Sequence, residues 1–256
     1  MAAIIQLRHV NYPESDGKPM GETDDHRQEM VRHIEVLEDF FQGQKVYVSG
    51  NLLVYYVQGN PRKYVVPDAF VAKGISPRAR RVYKIWVEGK APDVVIETTS
   101  RKTRRKDTIQ KPELYAHLGV KEYFLFDPHE EYLEPPLQGY RLVGDGYEPI
   151  ERHADGSLDS HELGLRLEIE ERRLRFVRLD TGERLPTRAE RAEREAERAE
   201  REAERAEREA EARQGEAARA DREADARQRE AEARQAAEAE LARLRAELAR
   251  RPPPRE

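Results

Sequence analysis

Apolar residues recur at helical spacing in the first part of the chain. They follow one another at intervals of four, three and four residues: Met30, Ile34, Leu37 and Phe41. This spacing places them on one face of an amphipathic helix. The helix is predicted to begin at a capping box formed by Asp25 and Gln28 and to end at Gly43.

Several later apolar runs are short and bounded by turn formers, which is typical of strands. The first four are KVYVSG, NLLVYYV, YVVPDAFVA and DVVIETTS. Gly50 and Asn51 predict a turn between the first two, and Pro67 interrupts the third. The run from Val94 to Ile96 is apolar on both faces, so DVVIETTS is predicted to be a central strand.

The chain then continues with a helix and further strands. RKTRRKDTIQKPELYAHLGV predicts a helix that ends at Gly119, and EYFLFD predicts another buried strand. GYRLV, LRLEIEE and LRFVRLD have the pattern of a peripheral antiparallel region. This order of elements predicts an α+β fold. The alternation is too irregular for a doubly wound nucleotide-binding fold, and the sequence contains no Gly-rich phosphate loop.

The composition changes at about Pro186, which predicts a globular domain over residues 1–186 and a helical tail over residues 187–256. All aromatic residues precede the change, and the tail is almost wholly Ala, Glu, Arg, Asp and Gln. Such a tail cannot build a hydrophobic core of its own. Its large aliphatic residues are Leu241, Leu244 and Leu248.

The tail contains three copies of the seven-residue repeat RAEREAE between Arg191 and Glu211. Its alanines alternate spacings of four and three, the seam pattern of a coiled coil. Glu–Arg pairs at i,i+4, such as Glu197–Arg201, support an isolated helix as well. Two alternatives therefore stay open, a charged single helix and a coiled-coil arm that forms a homo-oligomer. Pro252–Pro254 are predicted to stop the helix in either case.

Composition excludes several classes of chemistry. The chain has no cysteine, so disulfides, thiolate metal sites and a cysteine nucleophile are ruled out. The net charge of −5 gives no general affinity for nucleic acid, so any such binding must come from a local basic patch. Neither a signal peptide nor a stretch of about 20 apolar residues is present, which predicts a soluble, cytoplasmic protein.

Two carboxylates are placed to hold a hard cation. Asp68 follows Pro67 at a predicted strand end, and Glu97 ends the predicted central strand. We expect them to bind Mg²⁺ (or Mn²⁺), with the main-chain carbonyl of Thr98 as a further ligand. Asp93 is a poor partner for Glu97, because four residues of strand separate the two by roughly 13 Å.

The motifs around these acids resemble a known family. VVPDAFVAKG, WVEGKAPDVVIETTSRKT and the series Asp107, Lys111, Tyr115 before LGVKEYFLFDP resemble the Uma-two family of restriction-endonuclease-like proteins, within the PD-(D/E)XK nuclease superfamily. The resemblance implies a mixed sheet flanked by helices and a metal-dependent endonuclease that hydrolyses DNA phosphodiester bonds. It also implies that Asp68 and Glu97 are the metal-binding acids.

One position departs from the superfamily pattern. The superfamily lysine would stand two residues after Glu97, where this chain has Thr99. The resemblance suggests that Lys111 replaces it, with Lys102 as the rival and Pro112 as a point where the helix kinks or restarts. The departure keeps open the alternative of a nuclease-fold protein that has lost catalysis and serves in DNA binding or assembly.

A basic run directly follows the candidate acids. Its members are Arg101, Lys102, Arg104, Arg105 and Lys106. We expect these cations to contact DNA phosphates next to the metal. His26 resembles a histidine often found at the start of the first helix in this family, and no role is assigned to it. Tyr115 is interpreted as a packing residue.

Overall fold

The computed structural model describes residues 10–15, 17 and 23–249. Its strands are β1 (Val46–Ser49), β2 (Val54–Tyr55), β3 (Tyr64–Val65), β4 (Ala69–Lys73), β5 (Tyr83–Lys84), β6 (Val94–Thr98), β7 (Glu122–Phe126), β8 (Leu137–Val143), β9 (Gly146–Pro149), β10 (Leu158–Ser160), β11 (Leu165–Glu170) and β12 (Arg173–Arg178). Its α-helices are α1 (Asp24–Phe40), α2 (Ile85–Glu88), α3 (Lys111–Leu118) and α4 (Arg188–Ala249).

The main sheet has six strands in the order β1-β4-β6-β7-β8-β9. The β6–β7 pair is parallel, and the other pairs of this sheet are antiparallel. Every residue of β6 and β7 is buried, which confirms the predicted central strand and the strand predicted from EYFLFD. Two three-stranded sheets, β10-β11-β12 and β3-β2-β5, accompany the main sheet.

Each face of the main sheet carries its own hydrophobic core. Alternate residues of a strand point to opposite faces, so Ile96 and Val95 enter different clusters. Ile96 packs with Leu37 of α1 and with the β10-β11-β12 sheet. Val95 packs with Tyr115 of α3 and with the β3-β2-β5 sheet. The predicted α+β arrangement, a mixed sheet flanked by helices, is confirmed.

Helix α1 buries the predicted face but begins at a different cap. The Thr23 hydroxyl accepts a hydrogen bond from the His26 main-chain nitrogen at 3.3 Å, so Thr23 is the N-cap. The prediction that Asp25 caps the helix is wrong. Asp25 instead lies in the first turn, where its charge complements the helix dipole. The helix also ends at Phe40, three residues before Gly43.

The strand pairing differs from what neighbouring runs suggest. β1 pairs with β4, whereas β2 pairs with β3 and β5 in another sheet. The turn at Gly50 and Asn51 therefore leads the chain from one sheet to another instead of closing a hairpin. The run YVVPDAFVA is likewise divided between β3 and β4, with Pro67 in the gap between them.

The predicted helix before Gly119 is divided as well. A π-helical turn covers Lys106–Gln110, and α3 begins at Lys111. Pro112 stands in the first turn of α3, where its missing N–H costs least. The helix restarts there, which is one of the outcomes that Pro112 predicts. Gly119 ends α3 in a left-handed conformation with φ 81°.

The chain divides into two units between Arg191 and Ala192. At the start of α4, Thr187 and Glu190 form a reciprocal capping box with distances of 2.8 and 3.2 Å. Further along, ion pairs such as Glu197–Arg201 at 3.0 Å confirm the i,i+4 pattern. Pro252–Pro254 lie outside the described residues. No helix in the described ranges is long and apolar enough to cross a membrane.

Candidate active site

Asp68 and Glu97 meet because of the register between β4 and β6. The printed pairs put Ala69 opposite Ile96, so the next pair in the ladder is Asp68 and Glu97. Residues opposite each other on antiparallel strands project to the same face. The Asp68 main-chain nitrogen accordingly donates to Glu97 Oε2 at 3.3 Å.

Pro67 explains why the ladder ends at this point. Continuing the register places Pro67 opposite Thr98, and proline has no N–H to donate to the ladder. The Thr98 main-chain nitrogen instead donates to Asp68 Oδ2 at 2.8 Å. The N–H and C=O of a strand residue point to the same side, so the Thr98 carbonyl also points toward Asp68.

Glu97 is fully buried and points toward α3, on the same face as Val95. Its Oε1 accepts a hydrogen bond from the Tyr115 hydroxyl at 2.8 Å and lies 2.9 Å from Lys111 Nζ. These two contacts fix one carboxylate oxygen. Tyr115, predicted to be a packing residue, therefore packs and also contacts the candidate acid.

Lys111 links Glu97 to a further buried acid. Its Nζ lies 2.9 Å from Asp107 Oδ1, and Asp107 is only 1% exposed. The Asp107 main-chain carbonyl accepts a hydrogen bond from the Tyr123 hydroxyl at 2.9 Å, which anchors the π-helical turn to β7. The lysine side chain thus bridges two carboxylates instead of extending into solvent.

His26 contacts the site from the first turn of α1. It is 3% exposed, and its Nε2 lies 3.2 Å from Asp68 Oδ2. Asp68 is 15% exposed at its side chain, so it is the acid nearer to solvent. The site therefore has a closed side at Glu97 and a more accessible side at Asp68.

The surroundings shift the proton affinities of these groups in different directions. Burial outweighs the attraction of Lys111 and, together with the charges of Asp68 and Asp107, raises the pKa of Glu97 to about 8. Burial also raises the pKa of Asp68, but His26 and Lys111 outweigh it and hold that pKa below its usual value. The carboxylates of Glu97 and Asp107 overcome burial and raise the pKa of Lys111. Asp68 and Lys111 are therefore charged at neutral pH.

The oxygen atoms at this point suit a hard divalent cation. Asp68 and Glu97 lie together beside the Thr98 main chain, and Mg²⁺ takes a few protein oxygens while it keeps several waters. Within the described residues, no group of three or more His, Asp or Glu side chains could hold a metal ion. A site here would thus rest on Asp68, Glu97 and Thr98, with water completing the coordination.

The other sequence candidates take different positions. Lys102 is exposed and lines a cleft beside His26, whereas the Lys111 ammonium contacts Glu97. The remaining basic residues are also exposed: Arg101, Arg104, Arg105 and Lys106. Asp93 is buried at the opposite end of β6, where it pairs with Lys90 at 2.5 Å and Lys121 at 3.0 Å.

Sequence reasoning assigned no contact in the site to three residues that the structure places there: His26, Asp107 and Tyr115. Asp107 and Tyr115 each stand four residues from Lys111, and this spacing places all three on one helical face. That signal could have assigned them together. No sequence signal connects His26 with Asp68, because their contact depends on how α1 docks on the sheet.

Comparison with known proteins agrees with the motif resemblance. The family model of Uma2, described as "Putative restriction endonuclease", matches residues 8–197. A solved structure titled a "putative nuclease belonging to DUF820" from Anabaena variabilis is also similar, with 18% identity and a TM-score of 0.42. That alignment covers 60% of this chain and 86% of the other. No curated protein matches. The chain belongs to the Uma2 family.

Proposed function

We propose that this chain is a Mg²⁺- or Mn²⁺-dependent endonuclease that hydrolyses DNA phosphodiester bonds. The observation that carries the proposal is the meeting of Asp68 and Glu97 across β4 and β6, with the Lys111 ammonium 2.9 Å from Glu97. Two carboxylates beside a buried lysine ammonium are suited to the hydrolysis of phosphodiester bonds. Membership of the Uma2 family supports the same reaction class.

The proposed roles follow from the contacts. Asp68, Glu97 and the Thr98 carbonyl would hold the cation. The bound cation would polarise a phosphate oxygen and lower the pKa of a bound water. Lys111 would donate hydrogen bonds to the charge that develops on the phosphate. Tyr115 would hold Glu97 in place through its 2.8 Å hydrogen bond.

Proton affinity gives a further reason to expect a cation. A pKa of about 8 keeps Glu97 largely protonated at neutral pH in the protein without a metal. A divalent cation would compete with that proton, since it binds the ionised carboxylate. We therefore expect the cation to bind more tightly as the pH rises from about 7 to 9.

The proposed DNA contact lies next to the acids. The basic run Arg101–Lys106 begins four residues after Glu97 and is exposed except at Thr103. Such cations neutralise phosphates, and their contribution falls as salt rises. We propose that this run holds the DNA backbone beside the cation.

Cleavage of DNA by matched variants tests the proposal. Supercoiled plasmid and single-stranded circular DNA are incubated with the native chain in Mg²⁺, Mn²⁺ or EDTA. We expect Asp68→Asn and Glu97→Gln to lower the rate at least about 100-fold, because each removes an anionic ligand. Asp145→Asn and Glu151→Gln make the same change at exposed positions and should cut normally.

The outcomes separate an enzyme from a binding protein. Metal-dependent cleavage that disappears in both site variants supports the endonuclease. Equal cleavage by the native chain and the Asp68→Asn variant contradicts the proposed site. DNA binding without cleavage in any metal would instead favour the alternative, a nuclease-fold protein that has lost catalysis.

A further inference from the structure

A cleft of about 290 Å³ opens beside the candidate acids. It lies beyond the carboxyl ends of the parallel strands β6 and β7, because its walls come from the loops that follow these strands and from the start of α1. The crevice outside the carboxyl ends of parallel strands is a common ligand position in α/β sheets. His26 lines the cleft and also contacts Asp68, so cleft and acids adjoin.

One residue that lines the cleft has a buried hydroxyl without a hydrogen-bond partner among the described residues. Thr99 lines the cleft and is only 1% exposed. Its hydroxyl has no hydrogen-bond partner anywhere in the part of the chain that the structure describes. A buried hydroxyl without a partner is costly, and a bound ligand can supply the missing hydrogen bond.

The outer walls combine positive charge with an aromatic ring. Arg101 and Lys102 line the cleft and are exposed, and Tyr132 also lines it and is half-buried. Tyr132 lies in the loop that follows β7. The buried Asp127 carboxylate holds this loop in place, because it accepts hydrogen bonds from the main-chain nitrogens of His129 and Leu133 at 3.0 Å each. The ring is therefore presented by an ordered loop.

The size of the cleft limits what can enter it. A volume of about 290 Å³ lies just below the range for small-molecule sites, roughly 300–1,000 Å³. A nucleotide combines a phosphate, which suits Arg101 and Lys102, with a base that can stack on an aromatic ring. A base inside a duplex cannot reach such a pocket unless it leaves the stack.

We propose that this cleft binds one unstacked nucleotide of the DNA strand, with its phosphate on the Arg101 and Lys102 side and its base on Tyr132. The inference rests on the proposed function in taking DNA as the ligand. It adds a substrate class, namely single-stranded DNA or DNA with a locally unpaired nucleotide. The Thr99 hydroxyl, which is buried without a partner in the described ranges, contributes a hydrogen bond when its side chain turns toward the bound nucleotide.

Binding without a divalent cation tests the cleft separately from catalysis. The full chain is titrated in EDTA against a fluorescein-labelled single strand, a blunt hairpin of the same composition, and that hairpin with one unpaired nucleotide. We expect the single strand and the unpaired hairpin to bind more tightly than the blunt hairpin. Anisotropy gives the Kd for each.

Variants of the cleft distinguish stacking from other effects. We expect Tyr132→Ala to weaken single-strand binding on the order of 10-fold, since it removes the stacking ring. Tyr132→Phe keeps the ring and should bind as the native chain does. Thr99→Val keeps the shape and should weaken binding several-fold. His117→Ala changes an exposed ring in a separate cleft and is the control.

Each result decides the question, whether or not cleavage is found. A loss in Tyr132→Ala that Tyr132→Phe restores supports the cleft, even if no DNA is cut and the proposed function fails. Unchanged binding by both Tyr132→Ala and Thr99→Val overturns the cleft, even if the native chain cleaves DNA. Tighter binding of the blunt hairpin than of the single strand also overturns it.

Discussion

Gly50 lies against the main chain that carries Asp68. A Cβ atom at residue 50 would lie 1.9 Å from the Asp68 carbonyl oxygen and 2.6 Å from the Ile34 Cδ1 atom. The Ile34 methyl ends a side chain and can move, whereas the Asp68 carbonyl is part of the backbone. Gly50→Ala should therefore displace Asp68 and with it the candidate metal site.

The size of the effect follows from these distances. A C···O contact needs about 3.3 Å, so the Asp68 main chain must move by more than about 1 Å. Overpacking of this kind lowers the free energy of unfolding by about 1–3 kcal/mol. Alanine restricts the unfolded chain more than glycine does, which offsets about 0.4–1 kcal/mol of this loss of stability. A displacement of about 1 Å at a catalytic site costs on the order of 100-fold in rate.

Urea unfolding and plasmid cleavage measure the two effects separately. Gly146→Ala is the matched control, because its Cβ meets no atom within 4 Å. We expect the control to keep native activity and native or slightly higher stability. If Gly50→Ala matches the control in both stability and cleavage, the proposed packing of Gly50 against Asp68 is wrong.

Three further variants test other parts of the account. Tyr115→Phe removes the hydrogen bond to Glu97, so we expect cleavage to fall and the free energy of unfolding to drop by about 1–3 kcal/mol. Burial raises the pKa of Asp93, but its lysine partners outweigh it and hold that pKa below the usual value. The ionised form of Asp93 therefore stabilises the fold above about pH 4, and this stabilisation is lost on acidification. We expect Asp93→Asn to have a lower free energy of unfolding than the native chain at pH 7. Between about pH 4 and pH 2 the variant should lose less of that free energy than the native chain does. Replacing Arg104 and Arg105 by Gln should lower the slope of DNA affinity against salt by about 0.7–0.9 per lost phosphate contact.

Exposed positions provide controls for these substitutions. Asp145→Asn should keep the native stability at pH 7, and Arg62→Gln with Lys63→Gln should leave the salt slope unchanged. Full activity in Tyr115→Phe would show that Glu97 does not need its hydrogen bond. Identical pH dependence in native and Asp93→Asn chains, or identical salt slopes after Arg104 and Arg105 are replaced, would contradict the corresponding assignments.

The central strands could be predicted because their signal is local. The apolar run from Val94 to Ile96 indicates burial on both faces, and β6 is buried throughout. The pairing of β1 with β4 could not be predicted in this way, since it joins segments separated by two strands of another sheet. The spacing of apolar residues along a strand shows which of its faces is buried, but it does not show which other strand it pairs with.

The candidate site shows the same division between local and tertiary information. Asp68 and Glu97 follow from their places at the strand ends, and the motif resemblance points to Lys111. Helical periodicity does not reveal the π-helical turn Lys106–Gln110 that directly precedes Lys111. The contact between His26 and Asp68 is tertiary and has no local signal.

The helical tail carries exposed leucines near its end. Its helix is present over Arg188–Ala249, and Leu241 and Leu244 are exposed at 49% and 54%. Self-association through these residues stays a prediction from the sequence. Sedimentation of the native chain beside a Leu241→Glu, Leu244→Glu variant would show whether the apolar residues join two copies.

The central claim is that Asp68 and Glu97 hold a divalent cation. Crystals of the native chain soaked in Mn²⁺ test it directly, since manganese gives an anomalous signal at its own position. We predict a peak within about 2.0–2.6 Å of oxygen atoms from Asp68, Glu97 and Thr98, and no peak there in the Asp68→Asn variant. A Mn²⁺ peak elsewhere in an active crystal, or none in a chain that cleaves DNA with Mn²⁺, would contradict the account.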